Sequence, residues 1–224
     1  MRKVVLFDMD GVLYNSMPNH AIAWVKAMAS FGIDFTADDA YATEGARGVD
    51  TVSNCFKAQK EQVISEAEAQ DIYDIKAQIF ATLPTAEVMP GALELMKKIK
   101  GQGLEIGVVT GSAQRPLIAR ILDDFSGYVT NDHVVTAYDV TRGKPAPDPY
   151  LIGMEKCGNF APSETIVIEN APMGVEAGHA SGAYTIAVNT GPLPDKVLLS
   201  KGADILFQSV EALAENWEQL LSKI

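Results

Sequence analysis

The chain has 224 residues, of which 47% are hydrophobic, and its formal net charge is −11 at pH 7. That length can bury a core in one large α/β domain or in two smaller ones. The negative charge argues against nucleic acids and anionic membranes as partners, and no protein partner is indicated. Two cysteines provide no disulfide framework, and the N-terminal apolar run is interrupted at Asp8. We therefore expect a cytoplasmic protein without a signal peptide or a membrane span.

Short apolar runs alternate with helical stretches along the chain. Strands are predicted at 4–7, 106–109, 165–168, 185–188 and 204–207, with a further short element at 134–135. This alternation is typical of an α/β fold, a Rossmann-like parallel sheet with helices on both faces. No strand-like run occurs between the first two strands, where apolar spacing predicts helices near 18–31 and 65–80. We therefore predict an inserted helical domain at 15–87 and a core domain at 1–14 and 88–224.

The first predicted strand runs directly into two acids, Asp8 and Asp10. Ligands of parallel sheets bind at the carboxyl ends of strands, and two acids there are costly unless a cation or a reaction uses them. One carboxylate can attack phosphorus as a nucleophile, while the other protonates the leaving group and later deprotonates water. The alternative is an acidic strand end that accepts hydrogen bonds from nearby backbone amides.

Two later segments carry groups that can hold a phosphoryl group. Thr110, Gly111 and Ser112 follow the second predicted strand, where hydroxyl and amide donors can bind an anion or simply cap a helix. Lys144 lies in a loop with prolines at 145, 147 and 149, which hold the loop extended. From there Lys144 can neutralise charge on a transferring phosphoryl group, or it can be an ordinary solvated lysine.

A fourth segment, Glu169 and Asn170, follows the strand predicted at 165–168. Carboxylate and amide oxygens suit Mg²⁺, although a strand-end acid can also make a structural hydrogen bond. In this order, the four segments resemble the four motifs of the haloacid dehalogenase-like superfamily. The position and length of the insertion resemble the helical cap of its β-phosphoglucomutase-like phosphatase subfamily.

The resemblance implies a nucleophilic Asp8, an acid/base Asp10 and a phosphoryl group held by the threonine and the lysine of the second and third segments. It also implies a Mg²⁺ ion held by Asp8, the backbone carbonyl of Asp10, and Glu169 or Asn170. Relatives that remove halide lack the second acid, so Asp10 indicates phosphoryl transfer rather than dehalogenation.

The sequence departs from the family pattern in two places. Asn170 stands where family members usually carry an acid, which removes one negative charge from the metal site. In the insertion, Glu44 and Gly48 occupy positions where sugar-phosphate mutases carry a lysine and an arginine. Glu44 would repel a phosphate unless it binds Mg²⁺ that also binds the substrate, which fits a compact anion such as pyrophosphate. Alternatively, Glu44 pairs with Arg47 or caps a helix.

Three further residues of the insertion are candidates for substrate contacts. His20 and Lys76 match residues that reach the site in mutase-like relatives, and Arg47 could supply charge in place of the missing arginine. His20 and Lys76 could instead be solvated helix residues. The sequence thus predicts a Mg²⁺-dependent phosphatase that forms an aspartyl-phosphate, with inorganic pyrophosphate as the first choice among small phosphorylated metabolites. The alternatives are a β-phosphoglucomutase and a non-catalytic protein that binds a phosphorylated metabolite.

Overall fold

The computed structural model describes residues 1–224 and contains six strands and ten α-helices. The strands are β1 (Val4–Phe7), β2 (Glu105–Val109), β3 (Val134–Val135), β4 (Thr165–Glu169), β5 (Tyr184–Val188) and β6 (Ile205–Phe207). The helices are α1 (Met17–Ser30), α2 (Ala37–Ala42), α3 (Gly48–Lys60), α4 (Glu66–Ala81), α5 (Ala92–Gly101), α6 (Arg115–Asp124), α7 (Asp148–Lys156), α8 (Pro172–Ala180), α9 (Asp195–Leu199) and α10 (Val210–Leu221). None of these helices combines the length and the apolar character that crossing a membrane requires.

All six strands belong to one parallel sheet with the order β3-β2-β1-β4-β5-β6. This confirms the predicted α/β Rossmann-like fold, and the predicted strands agree with the observed ones within one residue at each end. The chain builds the sheet outward on one side of β1 and then on the other. The crevice between the ends of β1 and β4 is therefore the switch point at which such sheets bind ligands.

β1 is buried on both faces, which explains its uninterrupted apolar sequence. Val5 and Phe7 belong to the larger core cluster, with residues of α5 and α10 such as Leu95 and Trp217. Val4 and Leu6 point to the other face and join a second cluster with residues of α7 and α8. Layers of helices on both faces thus fix the central strand and the acids at its end.

Helices α1 to α4 lie between β1 and α5 and have an apolar cluster of their own, which includes Trp24, Phe56 and Tyr73. The predicted start of α4 is confirmed, because Ser65 and Glu68 form a reciprocal capping box. Helices α2 and α3 were not predicted individually. Thr36 and Asp39 form a second capping box at the start of α2.

The two chain crossings between this helical segment and the sheet lie side by side. The amide of Asn15 donates to the carbonyl of Glu87 at 3.0 Å, and the amide of Met89 donates to the carbonyl of Leu13 at 2.8 Å. We propose that residues 15–87, called the helical insertion below, form a separate domain with these paired crossings as its hinge. Residues 1–14 and 88–224 are then the core domain.

Candidate active site

The polar residues of the four sequence segments meet at the carboxyl edge of the sheet. Asp8 follows β1, Thr110 follows β2, and Glu169 is the last residue of β4. Because β1 lies between β2 and β4, these three residues come from adjacent strands. Gly11 lets the chain leave β1 with φ at +85°, and a Cβ there would overlap the Asn170 side chain. The topology therefore brings together residues that are far apart in sequence.

Lys144 is buried at the centre of this edge rather than solvated. Its ammonium donates to Asp8 Oδ1 at 2.5 Å, to Glu169 Oε1 at 2.7 Å and to the carbonyl of Val109 at 3.0 Å. Burial opposes the charge of Lys144, but the two carboxylates outweigh it and raise the pKa of the lysine. Lys144 therefore stays cationic at the position where a phosphoryl group would meet Asp8.

Both oxygens of Glu169 are occupied by donors of the protein. Oε1 accepts from Lys144 and from the Tyr150 hydroxyl at 2.7 Å, and Oε2 accepts from the amides of Asn170 at 3.0 Å and Ala171 at 3.2 Å. Tyr150 was not singled out in the sequence, where its only signal is its place in the first turn after the proline-rich loop. With four donors on its carboxylate, Glu169 acts as an anchor for Lys144.

Asp10 is held from the side of the helical insertion. Its Oδ1 accepts from the Ser16 hydroxyl at 2.5 Å and lies 3.0 Å from His20 Nε2. Burial alone would raise the pKa of Asp10, but the contacts with His20 and Ser16 and the charge of Lys76 outweigh it and lower that pKa. Ser16 was missed by sequence analysis; it precedes α1 without capping it, because its hydroxyl is used by Asp10.

Lys76 extends the contact chain from Asp10 into the insertion, since its ammonium lies 2.6 Å from His20 Nδ1. The ammonium also lies 5.2 to 5.5 Å from the ring centres of Trp24, Tyr73 and Phe80. Burial lowers the pKa of Lys76 to about 7, and burial together with the nearby lysine charge lowers the pKa of His20. The structure places His20 against Asp10 and Lys76 against His20, so both predicted residues lie at the site.

The burial of Lys76 should make stability depend on pH. Because its pKa falls from 10.5 to about 7 on folding, the unfolded chain binds more protons between these values. Stability should rise with pH across this window, by on the order of 5 kcal/mol at most. We expect Lys76→Met to remove this rise, as measured by urea unfolding at pH 6.5, 8 and 9.5. Lys57→Met, on an exposed position of α3, is the matched control, and an unchanged pH slope in Lys76→Met would contradict the assignment.

Glu44 reaches the core from the loop between α2 and α3. Its Oε1 accepts from Asn170 Nδ2 at 2.9 Å, and burial raises its pKa well above the usual range. The interpretation that Glu44 pairs with Arg47 is wrong, because Arg47 binds Asp50 through two bonds of 2.8 and 2.9 Å. Nor does Glu44 cap a helix, since Thr43 ends α2 and Arg47 precedes α3. Glu44 is therefore a buried acid that faces the core.

These groups surround a cavity of about 60 Å³ between the core and the helical insertion. Its lining includes Asp8, Asp10, His20, Glu44, Lys76, Thr110, Gly111 and Ser112. Arg47 does not line it, and lies instead in a neighbouring cleft toward the surface. Lys144, Glu169 and Asn170 do not line it either, and they join the site through contacts with Asp8 and Glu44.

The loop after β2 presents donors to this cavity. The Thr110 hydroxyl oxygen accepts from the amide of Ser112 at 3.0 Å, which leaves its O–H free to donate to a ligand. The alternative that these residues cap a helix is wrong, because α6 begins later and its N-cap residue is Gln114. A phosphoryl oxygen placed here would meet the Thr110 hydroxyl beside Asp8, the carboxylate to which Lys144 is bound.

The donor set fits a magnesium ion. Asn170 Oδ1 is buried without any hydrogen-bond partner, and an unpaired buried acceptor is costly unless a ligand uses it. Burial also raises the pKa of Asp8 and of Glu44, so a cation would stabilise both carboxylates. No three His, Cys, Asp or Glu side chains can hold an ion by themselves, so the Asn170 oxygen and a backbone carbonyl are needed. Between Glu169 and Asn170, Asn170 has the free oxygen.

Comparisons with known proteins agree with this geometry. The family model for haloacid dehalogenase-like hydrolases matches residues 2–182. The chain is 32% identical to hexitol phosphatase A of Escherichia coli (strain K12), covering 94% of this chain and 93% of that protein. It is 26% identical to the β-phosphoglucomutase of Bacillus subtilis (strain 168), over 97% and 96% of the two chains.

A solved structure of a β-phosphoglucomutase-like protein from Bacteroides vulgatus is also similar. It superposes with a TM-score of 0.94 at 48% identity, covering 99% of this chain and 89% of that one. The family model spans the four motif segments that meet at the carboxyl edge of the sheet. The chain therefore belongs to the haloacid dehalogenase-like hydrolase family, as an enzyme of its phosphatase and phosphoglucomutase branch.

Proposed function

We propose that this protein is a Mg²⁺-dependent phosphohydrolase that forms an aspartyl-phosphate on Asp8, with inorganic pyrophosphate as its substrate. The observation that carries the proposal is the pair of acids that line one cavity. Asp8 is bound by Lys144, and Asp10 is bound by His20 and Ser16. Two carboxylates with different partners can serve as nucleophile and as acid/base.

Each residue has a distinct task in this scheme. Lys144 fixes the orientation of Asp8 through Oδ1 and offers its charge to the transferring phosphoryl group. Asp8 attacks phosphorus, the phosphorus–leaving-group bond breaks, and protonated Asp10 gives its proton to the departing oxygen. Asp10, now a carboxylate, takes a proton from water, and that water releases phosphate from Asp8. The contacts that lower its pKa favour this second task, in which Asp10 acts as a carboxylate, and the proton that it takes from water is the one it donates in the next cycle.

Mg²⁺ would be held by the Asp8 carboxylate, the Asp10 backbone carbonyl and Asn170 Oδ1, and it would supply positive charge opposite the phosphoryl oxygens. Glu44 lies beside this set through its bond to Asn170 Nδ2. In a cavity with this many acids, a phosphate that arrives together with Mg²⁺ avoids repulsion from Glu44.

Cavity size and charge support a compact substrate. A cavity of 60 Å³ has the volume of about two water molecules at the roughly 30 Å³ that each occupies in the liquid. That space is nearer to one or two phosphoryl groups than to a hexose phosphate. Lys76 is the one lysine that lines it, and Glu44 is part of the same lining. Pyrophosphate, which needs no pocket for an organic leaving group, suits these dimensions.

A sugar-phosphate reaction is the second candidate. The relatives carry names for a phosphatase of hexitols and for a β-phosphoglucomutase, and His20 and Lys76 stand next to Asp10 where a second hydroxyl could be bound. A mutase would return the phosphoryl group from Asp8 to a sugar instead of to water. It would require glucose 1,6-bisphosphate for turnover of β-glucose 1-phosphate.

The test compares phosphate release in Mg²⁺ from pyrophosphate and from a panel of sugar phosphates, for wild type, Glu44→Gln and Glu44→Lys. We expect pyrophosphate turnover to fall about 10- to 100-fold in Glu44→Lys, because the ammonium would repel the metal. Glu44→Gln should lose less, since an amide oxygen can still ligate. Glu94→Lys, an exposed charge reversal on α5, is the control.

The protein could instead convert β-glucose 1-phosphate to glucose 6-phosphate and release little phosphate from pyrophosphate. That outcome would contradict the hydrolase proposal and support the mutase. Binding of phosphorylated compounds without any turnover in Mg²⁺ would contradict both reactions. Pyrophosphate turnover that is unchanged in Glu44→Lys would support the reaction but would show that Glu44 takes no part in it.

A further inference from the structure

Gly111 lies directly beneath the loop that joins α2 to α3. A Cβ at position 111 would lie 2.6 Å from the carbonyl oxygen of Gly45 and 3.0 Å from that of Ala46. Both neighbours are backbone atoms, so rotating a side chain cannot relieve the overlap. Any residue larger than glycine at this position therefore requires the loop to move away from the core.

The loop also has a glycine, and therefore no side chain, on its own side of the contact. Gly45 has φ at +86°, and a Cβ there would lie 3.3 Å from Lys144 Cδ and 3.6 Å from the amide nitrogen of Gly174. Two glycines thus face each other across the closing surface. The loop of the insertion approaches the phosphate-binding loop as closely as backbone atoms allow.

This contact forms part of the wall of the catalytic cavity. Gly45, Ala46 and Gly111 all line the 60 Å³ space, together with Asp8 and Thr110. Glu44 adjoins the contact and reaches Asn170 in the core. A shift of the loop would therefore enlarge the cavity and move Glu44 away at the same time.

We propose that Gly111 is a specificity-determining residue, which lets the loop at 43–48 close fully and so restricts the leaving group to a compact one such as phosphate. The proposal deepens the proposed function and rests on it. The basis of the proposal is steric, because the absence of a side chain at position 111 leaves room for the loop. The Gly111 amide itself remains available for a phosphoryl oxygen in an alanine variant.

Gly111→Ala should hold the loop back. An ordinary contact begins at 3.4 Å, so a Cβ 2.6 Å from the Gly45 carbonyl demands a shift of about 0.8 Å (3.4 minus 2.6). A misplacement of about 1 Å in an active site can cost about 100-fold in rate. We expect kcat/KM for pyrophosphate to fall about 10- to 100-fold, while kcat/KM for hexose phosphates stays level or rises. The ratio between the two substrates should change at least about tenfold.

The experiment measures both substrates with wild type, Gly111→Ala and Gly101→Ala. Gly101 ends α5, and no atom lies within 4 Å of the place that a Cβ would take there, so its substitution controls for the general effect of replacing glycine by alanine. Hydrogen exchange of amides 43–48 is measured on the same proteins. Faster exchange of these amides in Gly111→Ala alone is expected, because the loop packs less closely.

The outcomes separate this proposal from the proposed function. Equal changes for both substrates, or no change in either, would overturn the role of Gly111 while leaving phosphoryl transfer intact. Absence of turnover by wild type on every substrate would overturn the proposed function. In that case the exchange of amides 43–48 still decides the steric role, and unaltered exchange in Gly111→Ala overturns it.

Discussion

Asp8→Asn should abolish turnover, with a loss on the order of 10⁴-fold or more, because an amide cannot form the covalent intermediate. Asp10→Asn should also turn over slowly, but a different step of the reaction should be blocked. It keeps the nucleophile next to Lys144, and phosphate can leave without a proton from Asp10, so the phosphoenzyme forms slowly, whereas the base that activates water for its breakdown is lacking. Acid quenching after mixing with labelled substrate, followed by mass measurement of the protein, distinguishes the two variants.

The expected pattern is a phosphorylated chain in Asp10→Asn and none in Asp8→Asn. Asp71→Asn, an exposed change of the same kind on α4, should behave like wild type and shows that handling does not inactivate the enzyme. If Asp8→Asn kept activity within about tenfold of wild type, or if label appeared on it, the nucleophile would have to be another group. Labelling of neither variant, with both inactive, would leave no covalent step for Asp8 to perform.

The fold was predictable because its signals are local. The four apolar residues of β1 are buried on both faces, so they form a run without alternation that is recognisable in the sequence. Once several such runs form one parallel sheet, their carboxyl ends must meet, and Asp8, Thr110 and Glu169 come together without further information. The core of the site thus follows from which residues stand at strand ends.

The partners of these residues were not predictable in the same way. Glu44 and Asn170 are 126 positions apart, and their bond depends on how far the insertion closes onto the core. Tyr150 reaches Glu169 only because α7 packs against the same face of the sheet. A pattern of residue types carries no record of such distances. Sequence reasoning therefore found the strand-end groups, Lys144 and His20, but missed Ser16 and Tyr150, whose hydroxyls bind Asp10 and Glu169.

One contact could have been predicted from residues that are close together in the sequence. Arg47 and Asp50 are three positions apart at the start of α3, where an arginine and an acid at this spacing can pair. That pair competes with any contact between Arg47 and a phosphate or Glu44. The cavity size, by contrast, depends on the contact of Gly45 with Gly111 and has no local signature.

Lys144→Met should cost both activity and stability. Lys144 is 3% exposed and neutralises two buried carboxylates, Asp8 and Glu169. Removing one member of a buried ion cluster typically costs about 3 to 5 kcal/mol, because the remaining charges are left unpaired. We expect a loss of that size in the free energy of unfolding at pH 7, measured in urea. Turnover should fall about 100- to 1,000-fold or more, as for other groups that face developing charge.

The pH dependence of this loss has a definite sign. The pKa of Lys144 is raised on folding, so its stabilisation is present at and below the ordinary lysine pKa and disappears as pH rises through the higher folded value. Toward acid pH the deficit of the variant should shrink for another reason. Burial already raises the pKa of Asp8, so without Lys144 this carboxyl can take up a proton and become neutral. The difference between wild type and Lys144→Met should therefore be larger at pH 8 than at pH 5.

A double variant separates the charge from the packing. Lys144→Met together with Glu169→Gln removes one of the two unpaired charges, so it should recover part of the lost stability without recovering turnover. It also keeps the comparison available if the single variant does not fold. A double variant no more stable than Lys144→Met would mean that the lysine stabilises the fold by filling space. The cation would then matter for the reaction alone, and Glu169 would not be the anchor that its four donors indicate.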